Sequence, residues 1–142
     1  MPSFGQKSKD KLATAHPKLQ LIMNEAIKVT DFTVLYGNRS VEEQFELFKK
    51  GRELQSDGTW KKVGSTVTNL DGKTKKSNHN YSPSHAVDIA PYPIDWNDIG
   101  RFKALAEVVK KCAKNLNIKI VYGGDWVSFK DYPHFELDKS EI

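Results

Sequence analysis

Residues 77–93 read SNHNYSPSHAVDIAPYP, and this stretch holds two of the chain's four histidines, His79 and His85, with Asp88 inside a short apolar run. Imidazole and carboxylate side chains so close in sequence have the donor set of a metal site. If HAVDIA is a regular strand, Ala86 and Asp88 point to one face and His85 and Val87 to the other. His85 and Asp88 then do not converge on one ion. His79 lies off the strand, beyond the turn NYSPS, and can fold back over Asp88. The expected pair is therefore His79 with Asp88, and His85 is read as a rim residue. An aspartate within AVDIA is costly to bury unless it is paired or metal-bound. A salt bridge to Arg39 or a backbone cap would satisfy it equally well.

Two histidines remain. His16 precedes Pro17 at a helix start and reads as a cap. His134, in DYPHFEL, follows Pro133 at the start of a strand, with Asp131 three residues earlier. That spacing lets a carboxylate reach the space of the imidazole from the preceding turn, a weak signal by itself. The single cysteine, Cys112, excludes an internal disulfide and a cysteine-based zinc site. A metal would be held by histidine and carboxylate, a combination more typical of catalytic sites than of structural ones.

The elements that must position these groups follow from periodicity. HPKLQLIMNEAIKV is a helix with Pro17 at its first position and Leu19, Ile22, Met23, Ala26 and Ile27 at helical spacing. DFTVLYG is β-branched and aromatic, hence a strand, stopped at Gly37-Asn38. SVEEQFELFKKG carries a capping box, Ser40 with Glu43, and ends at Gly51. Residues 53–78 lack a helical period and contain two Asp-Gly turns, so one or two short hairpins are expected on a long exposed excursion. HAVDIA, IKIVYGG and PHFEL are strands. The longest helix starts near Asp95 or Asp98 and runs to Leu116, with Phe102, Leu105, Ala106, Val109, Cys112, Ala113 and Leu116 on one stripe. The expected fold class is α+β, with helices on one side of a small, mostly antiparallel sheet.

At 142 residues, residues 1–142 are expected to form one domain with a modest core. No run approaches the ~18 apolar residues of a membrane span, so no membrane insertion is expected, and the N-terminus MPSFGQKSKDKL lacks the apolar segment of a secretory signal. The net charge is +4, and it is concentrated. Eight lysines and arginines face three acids between Lys49 and Lys76, leaving the rest of the chain near neutral. This excursion is either a solvated basic loop or a surface for a polyanion such as a cell wall or nucleic acid. Nucleic acid is the weaker candidate, because no helix-turn-helix, finger or aromatic RNA-binding signature accompanies the charge.

Ser77-Asn78-His79, Ala86-Val87-Asp88 and Asp131-Tyr132-Pro133-His134, in that order, resemble the zinc peptidases that cut bacterial cell-wall peptides. These are the D-alanyl-D-alanine carboxypeptidases and the L-alanyl-D-glutamate endopeptidases of phage endolysins. The likeness extends to LYGNRSVEEQ, to GGDW at 123–126 and to HPKLQ, and so covers nearly the whole chain. One departure is the histidine-to-aspartate interval, HNYSPSHAVD. It is two residues longer than the commoner family spacing, with Ser84 in the place of a glycine.

The resemblance implies a hedgehog/D-Ala-D-Ala-peptidase-like fold and one Zn2+ per chain held by His79, Asp88 and His134. It implies Asp131 as the acid/base and Arg39 as the charge that stabilises the oxyanion. Ser77 and Gln44 would contact substrate, and Trp126 and Tyr132 would wall the cleft. The expected activity is hydrolysis of the L-alanyl-D-glutamate bond of peptidoglycan by a monomeric phage endolysin. Such an enzyme would stay in the host cytoplasm until lysis. A D-Ala-D-Ala carboxypeptidase or dipeptidase is the alternative within the enzyme class. Outside it, the alternative is a non-catalytic wall-binding module with structural zinc.

Overall fold

The computed structural model describes residues 2–73, 75–128 and 130–142. Strands β1 (Phe32–Tyr36), β4 (Ala86–Pro91), β5 (Ile120–Tyr122) and β6 (His134–Leu137) form one sheet in the order β1-β4-β6-β5, antiparallel throughout. Between them in sequence lie β2 (Arg52–Leu54) and β3 (Trp60–Lys62), which pair with each other in a separate two-stranded sheet. The helices are α1 (Gln6–Leu12), α2 (Pro17–Ala26), α3 (Val41–Lys49) and α4 (Ile99–Asn115).

Alternation along the strands gives the sheet two distinct faces. Phe32, Val34, Val87, Ile89, Phe135 and Leu137 turn to one side. There they meet Leu12 of α1, Leu19, Ile22, Met23 and Ala26 of α2, and Leu105, Ala106, Val109 and Ala113 of α4 in one hydrophobic cluster. Leu19, Ile22, Met23 and Ile89 are wholly buried, each contributing roughly 1.5–3 kcal/mol of transfer free energy. The opposite face carries Asp88, His134 and Glu136. It lacks helix cover apart from α3, whose one buried residue is Gln44.

Most expected elements form where the periodicity places them. His16 caps α2 by accepting from the Lys18 amide, and Pro17 opens that helix. Ser40 and Glu43 form the capping box of α3. Asp98 caps α4 by accepting from Arg101 N–H. On the α4 stripe, Cys112 is only partly buried and Leu116 is 36% exposed, because the helix ends at Asn115. The excursion contains one hairpin, β2–β3, around Asp57-Gly58. The second Asp-Gly pair turns the chain without strand pairing among the described residues. Helix α1 is an element that periodicity did not suggest, since only Ser8 and Leu12 of its seven residues are buried. It packs along β1, where the Ser8 hydroxyl accepts from Val34 N–H.

Ile89 is wholly buried and adjoins Asp88 on the same strand. Ile89→Ala is expected to lower unfolding free energy by about 2–5 kcal/mol, read as a reduced urea midpoint with an unchanged slope.

Candidate metal centre

Asp88 and His134 are directly opposite in the β4–β6 register. Both belong to the face opposite the hydrophobic cluster, so antiparallel pairing alone brings a carboxylate and an imidazole together. His134 Nδ1 lies 3.2 Å from Asp88 Oδ1. His79 arrives from a 3-10 turn, Asn78–Asn80, and its Nε2 lies 3.3 Å from the same oxygen. These three ligand atoms are all within 4.8 Å of one another.

The turn that carries His79 is held on both sides. Ser77 caps it by accepting from the His79 amide. Arg39 N–H donates to the His79 carbonyl at 2.7 Å, and Asn80 Nδ2 donates back to the Arg39 carbonyl at 2.7 Å. His79 Nδ1 is 2.7 Å from the Gly37 carbonyl, which can only accept. That bond places a ring proton on Nδ1. In the neutral ring Nε2 is then a bare lone pair, buried and without a hydrogen-bond partner, facing a carboxylate oxygen. Two lone pairs so opposed repel unless a cation lies between them. The donor set and this orphaned nitrogen fit a divalent metal.

Further carboxylates and a guanidinium surround the cluster. Glu136, two residues along β6 from His134, accepts at 2.7 Å from His134 Nε2. Its other oxygen accepts from Asn78 Nδ2 at 2.7 Å. A carboxylate on the far nitrogen fixes the ring and leaves Nδ1 for the metal. Arg39 is buried. Its Nη2 donates to Asp88 Oδ2 at 3.2 Å, its Nη1 to Gln44 Oε1 at 2.8 Å, and its guanidinium lies 4.5 Å over the Tyr36 ring. Asp88 thus turns one oxygen to the imidazoles and the other to arginine.

Burial works against charge on Asp88, yet hydrogen bonding to His134, with His79 adjacent, outweighs it and holds the carboxyl well below the usual carboxylate range. Burial likewise opposes charging His134. The bonds to Asp88 and Glu136 prevail and raise its pKa to about 9. Asp131 lies at the edge, its side chain 46% exposed and 4.0 Å from His134 Nδ1. Burial first and the charge of Asp88 second raise its pKa. Gly123 sets this edge: a Cβ there would collide with the Asp131 carbonyl and press on the His134 side chain, while its carbonyl accepts the Asp131 amide.

Other residues singled out in the sequence fall into different places. Gln44 is wholly buried. Its amide oxygen serves Arg39 and its nitrogen donates to Leu70 O at 2.8 Å and toward Thr68 Oγ1. With both ends engaged it positions Arg39 and is not a substrate contact. Tyr132, in the turn before β6, is partly buried and packs against the hydrophobic cluster. Trp126 does stand at the cleft, its ring 5.2 Å from that of His134. His85 is outside the cluster and stacks on Tyr81 at 4.1 Å. Glu136 was missed, although an acid two residues after a strand histidine shares its face.

Residues 2–141 match the family described as phage L-alanyl-D-glutamate peptidase. The chain belongs to that family. It is similar to the L-alanyl-D-glutamate peptidase of Escherichia phage T5, with 31% identity over 96% of this chain and 89% of the relative. A second relative is the peptidoglycan L-alanyl-D-glutamate endopeptidase CwlK of Bacillus subtilis. It is 36% identical over 79% of this chain, which spans 64% of that protein. The crystal structure of the Serratia marcescens L-Ala D-Glu endopeptidase ChiX superposes with a TM-score of 0.72 at 26% identity, covering 95% of this chain and 89% of that one. This peptidase therefore has a His-Asp-His group able to bind a metal on a shared α+β fold.

Two outcomes follow for metal uptake. His79→Ala is expected to reduce bound divalent metal far below one per chain, whereas His85→Ala keeps it, as metal analysis of dialysed protein will read. Ligation also requires neutral imidazole. Because His134 holds its proton up to about pH 9 in the metal-free chain, metal affinity should climb as pH rises toward that value and then level off, measured by competition with a chromophoric chelator.

Proposed function

We propose that the protein hydrolyses the L-alanyl-D-glutamate bond of peptidoglycan stem peptides as a phage endolysin, with one zinc ion held by His79, Asp88 and His134. The observation that carries this reading is the three-ligand cluster with the half-exposed Asp131 beside it, in a chain of this peptidase family. Two imidazoles and a carboxylate leave a fourth tetrahedral position open, the arrangement of catalytic rather than structural zinc. Zinc, when bound there, supplies a Lewis acid and lowers the pKa of its water to roughly 7.

The rest of the chemistry belongs to the chain. Asp131, within reach of the ligand cluster but outside it, takes the proton of the attacking water and delivers it to the departing amine. Its raised affinity for protons suits the second half of that task. Arg39 contributes fixed positive charge to the developing oxyanion. Its bond to Asp88 and its backing by Gln44 keep the guanidinium from turning away. Glu136 holds His134, and Ser77 holds the turn of His79. The Ser77 hydroxyl and the Trp126 ring line the approach for the stem peptide.

The hydrophobic cluster supports residues 1–142 acting as one catalytic domain, and we propose that it acts as a monomer. No helix among the described residues is long and apolar enough to cross a membrane. We place the enzyme in the host cytoplasm until lysis exposes the wall to it.

Digestion of purified peptidoglycan with zinc present decides the bond. New N-terminal D-glutamate is the expected product. Free D-alanine would assign a carboxypeptidase, and no product would leave a binding module. Asp131→Asn keeps the shape and removes the basicity. It is expected to retain near-stoichiometric zinc while turnover falls about 10²–10⁴-fold, the usual share of general acid–base catalysis. Zinc content and rate are to be measured on one preparation. Metal lost together with activity would make Asp131 a ligand.

A further inference from the structure

The excursion between α3 and the ligand turn is not used by the chemistry above, yet it is built as a separate unit. Phe45 and Phe48 stack at 6.1 Å and Trp60 meets Phe45 edge-on at 5.8 Å. None of these rings belongs to the main hydrophobic cluster. Cations lie over them: Lys49 Nζ is 5.0 Å and Lys73 Nζ 4.0 Å from the Phe45 ring, and the Arg52 guanidinium is 4.0 Å from Phe48. Arg52 also donates to the Phe48 and Thr68 carbonyls, tying the hairpin to the returning strand of chain.

Three acids, Glu53, Asp57 and Asp71, offset part of the charge of this segment, and Glu53 stands opposite Lys61 in the β2–β3 register. Asp57 Oδ1 accepts from the amide and hydroxyl of Thr59, and Asp71 Oδ1 accepts from the Lys73 and Lys75 amides. Lys61, Lys62, Lys75 and Lys76 are exposed and make no carboxylate contact within 4.0 Å among the described residues. Four exposed lysines thus project from a segment of net positive charge, which an anionic polymer would complement.

The patch also borders the cleft. Gln44 joins Leu70 to Arg39, and Lys76 immediately precedes the Ser77 cap, its Nζ 5.6 Å from the Tyr81 ring beside the ligand turn. We propose that this face docks the substrate polymer beyond the scissile bond, its lysines engaging the carboxylates of neighbouring stem peptides. This rests on peptidoglycan being the substrate. The face raises the concentration of the enzyme on the insoluble wall without entering the reaction.

The test uses the full chain and the triple variant K61Q/K62Q/K75Q. Two assays are run over a salt series: co-sedimentation with insoluble peptidoglycan, and turnover of a soluble stem peptide. The variant is expected to bind the wall about tenfold more weakly at low salt and to approach the wild type at high salt, where screening removes the difference. Its turnover of the soluble peptide should stay within about twofold, since the altered side chains are exposed and none belongs to the ligand cluster or its supports. Amidation of the wall's carboxylates should weaken the wild type and leave the variant unchanged. Equal binding by the two proteins would overturn the proposal. So would indifference of the wild type to amidation, or binding that disappears only when wall-linked phosphodiester polymers are stripped. A wild type that binds the wall but cleaves neither substrate would instead sink the proposed activity and leave the docking result standing.

Discussion

The carboxylate of Asp88 is the group around which this molecule is organised. It lies in the middle of a sheet with its side chain only 13% exposed, in a run that is otherwise apolar. A buried charge left alone costs several kcal/mol, and removing one partner of such a pair typically costs about 3–5 kcal/mol. Asp88 has a partner on each oxygen, Arg39 on one and His134 on the other, while His79 turns its unpartnered Nε2 toward the second. Each group comes from a different part of the chain, so the loop after β1, the turn before β4 and the start of β6 meet at the aspartate. The same convergence creates the metal cluster.

The partners are themselves held by groups that touch no metal ligand atom. Glu136 and Asn78 form a small bridge in which the turn that delivers one imidazole also braces the carboxylate behind the other. Gln44 backs Arg39. Gly123 leaves room for the loop that carries Asp131. A site with this much support keeps its geometry before any ligand arrives, which is the condition for fixed charges to act on a developing oxyanion without reorganising.

Much of this was legible in the residues because strand alternation is a strict rule. Parity alone separated Asp88 from His85 and pointed to His79, and the structure places those side chains accordingly. The helix caps at His16 and Ser40 were legible for a similar reason: the chemistry of a first turn is local. What escaped depends on distant contacts. Helix α1 buries too little to show a period. Tyr132 reaches the hydrophobic cluster from the turn before β6, and Glu136 acquires meaning only once the β4–β6 pairing sets it beside Asn78. Gln44 has the same composition whether it meets substrate or arginine, and only its complete burial tells the two apart.

Helix α1 carries no chemistry, yet it bears on the tautomer of a histidine. Its last turn and the residues after it lie directly against Gly37, where a Cβ would strike the Lys11 carbonyl and the Thr14 hydroxyl, and Thr14 Oγ1 accepts the Asn38 amide. That contact fixes where the Gly37 carbonyl points, and the carbonyl selects which nitrogen of His79 bears hydrogen. The amino-terminal segment therefore works as a mechanical reference for the ligand field. Its distance from His79 is therefore no measure of its dispensability, because it reaches that ring through a single peptide plane.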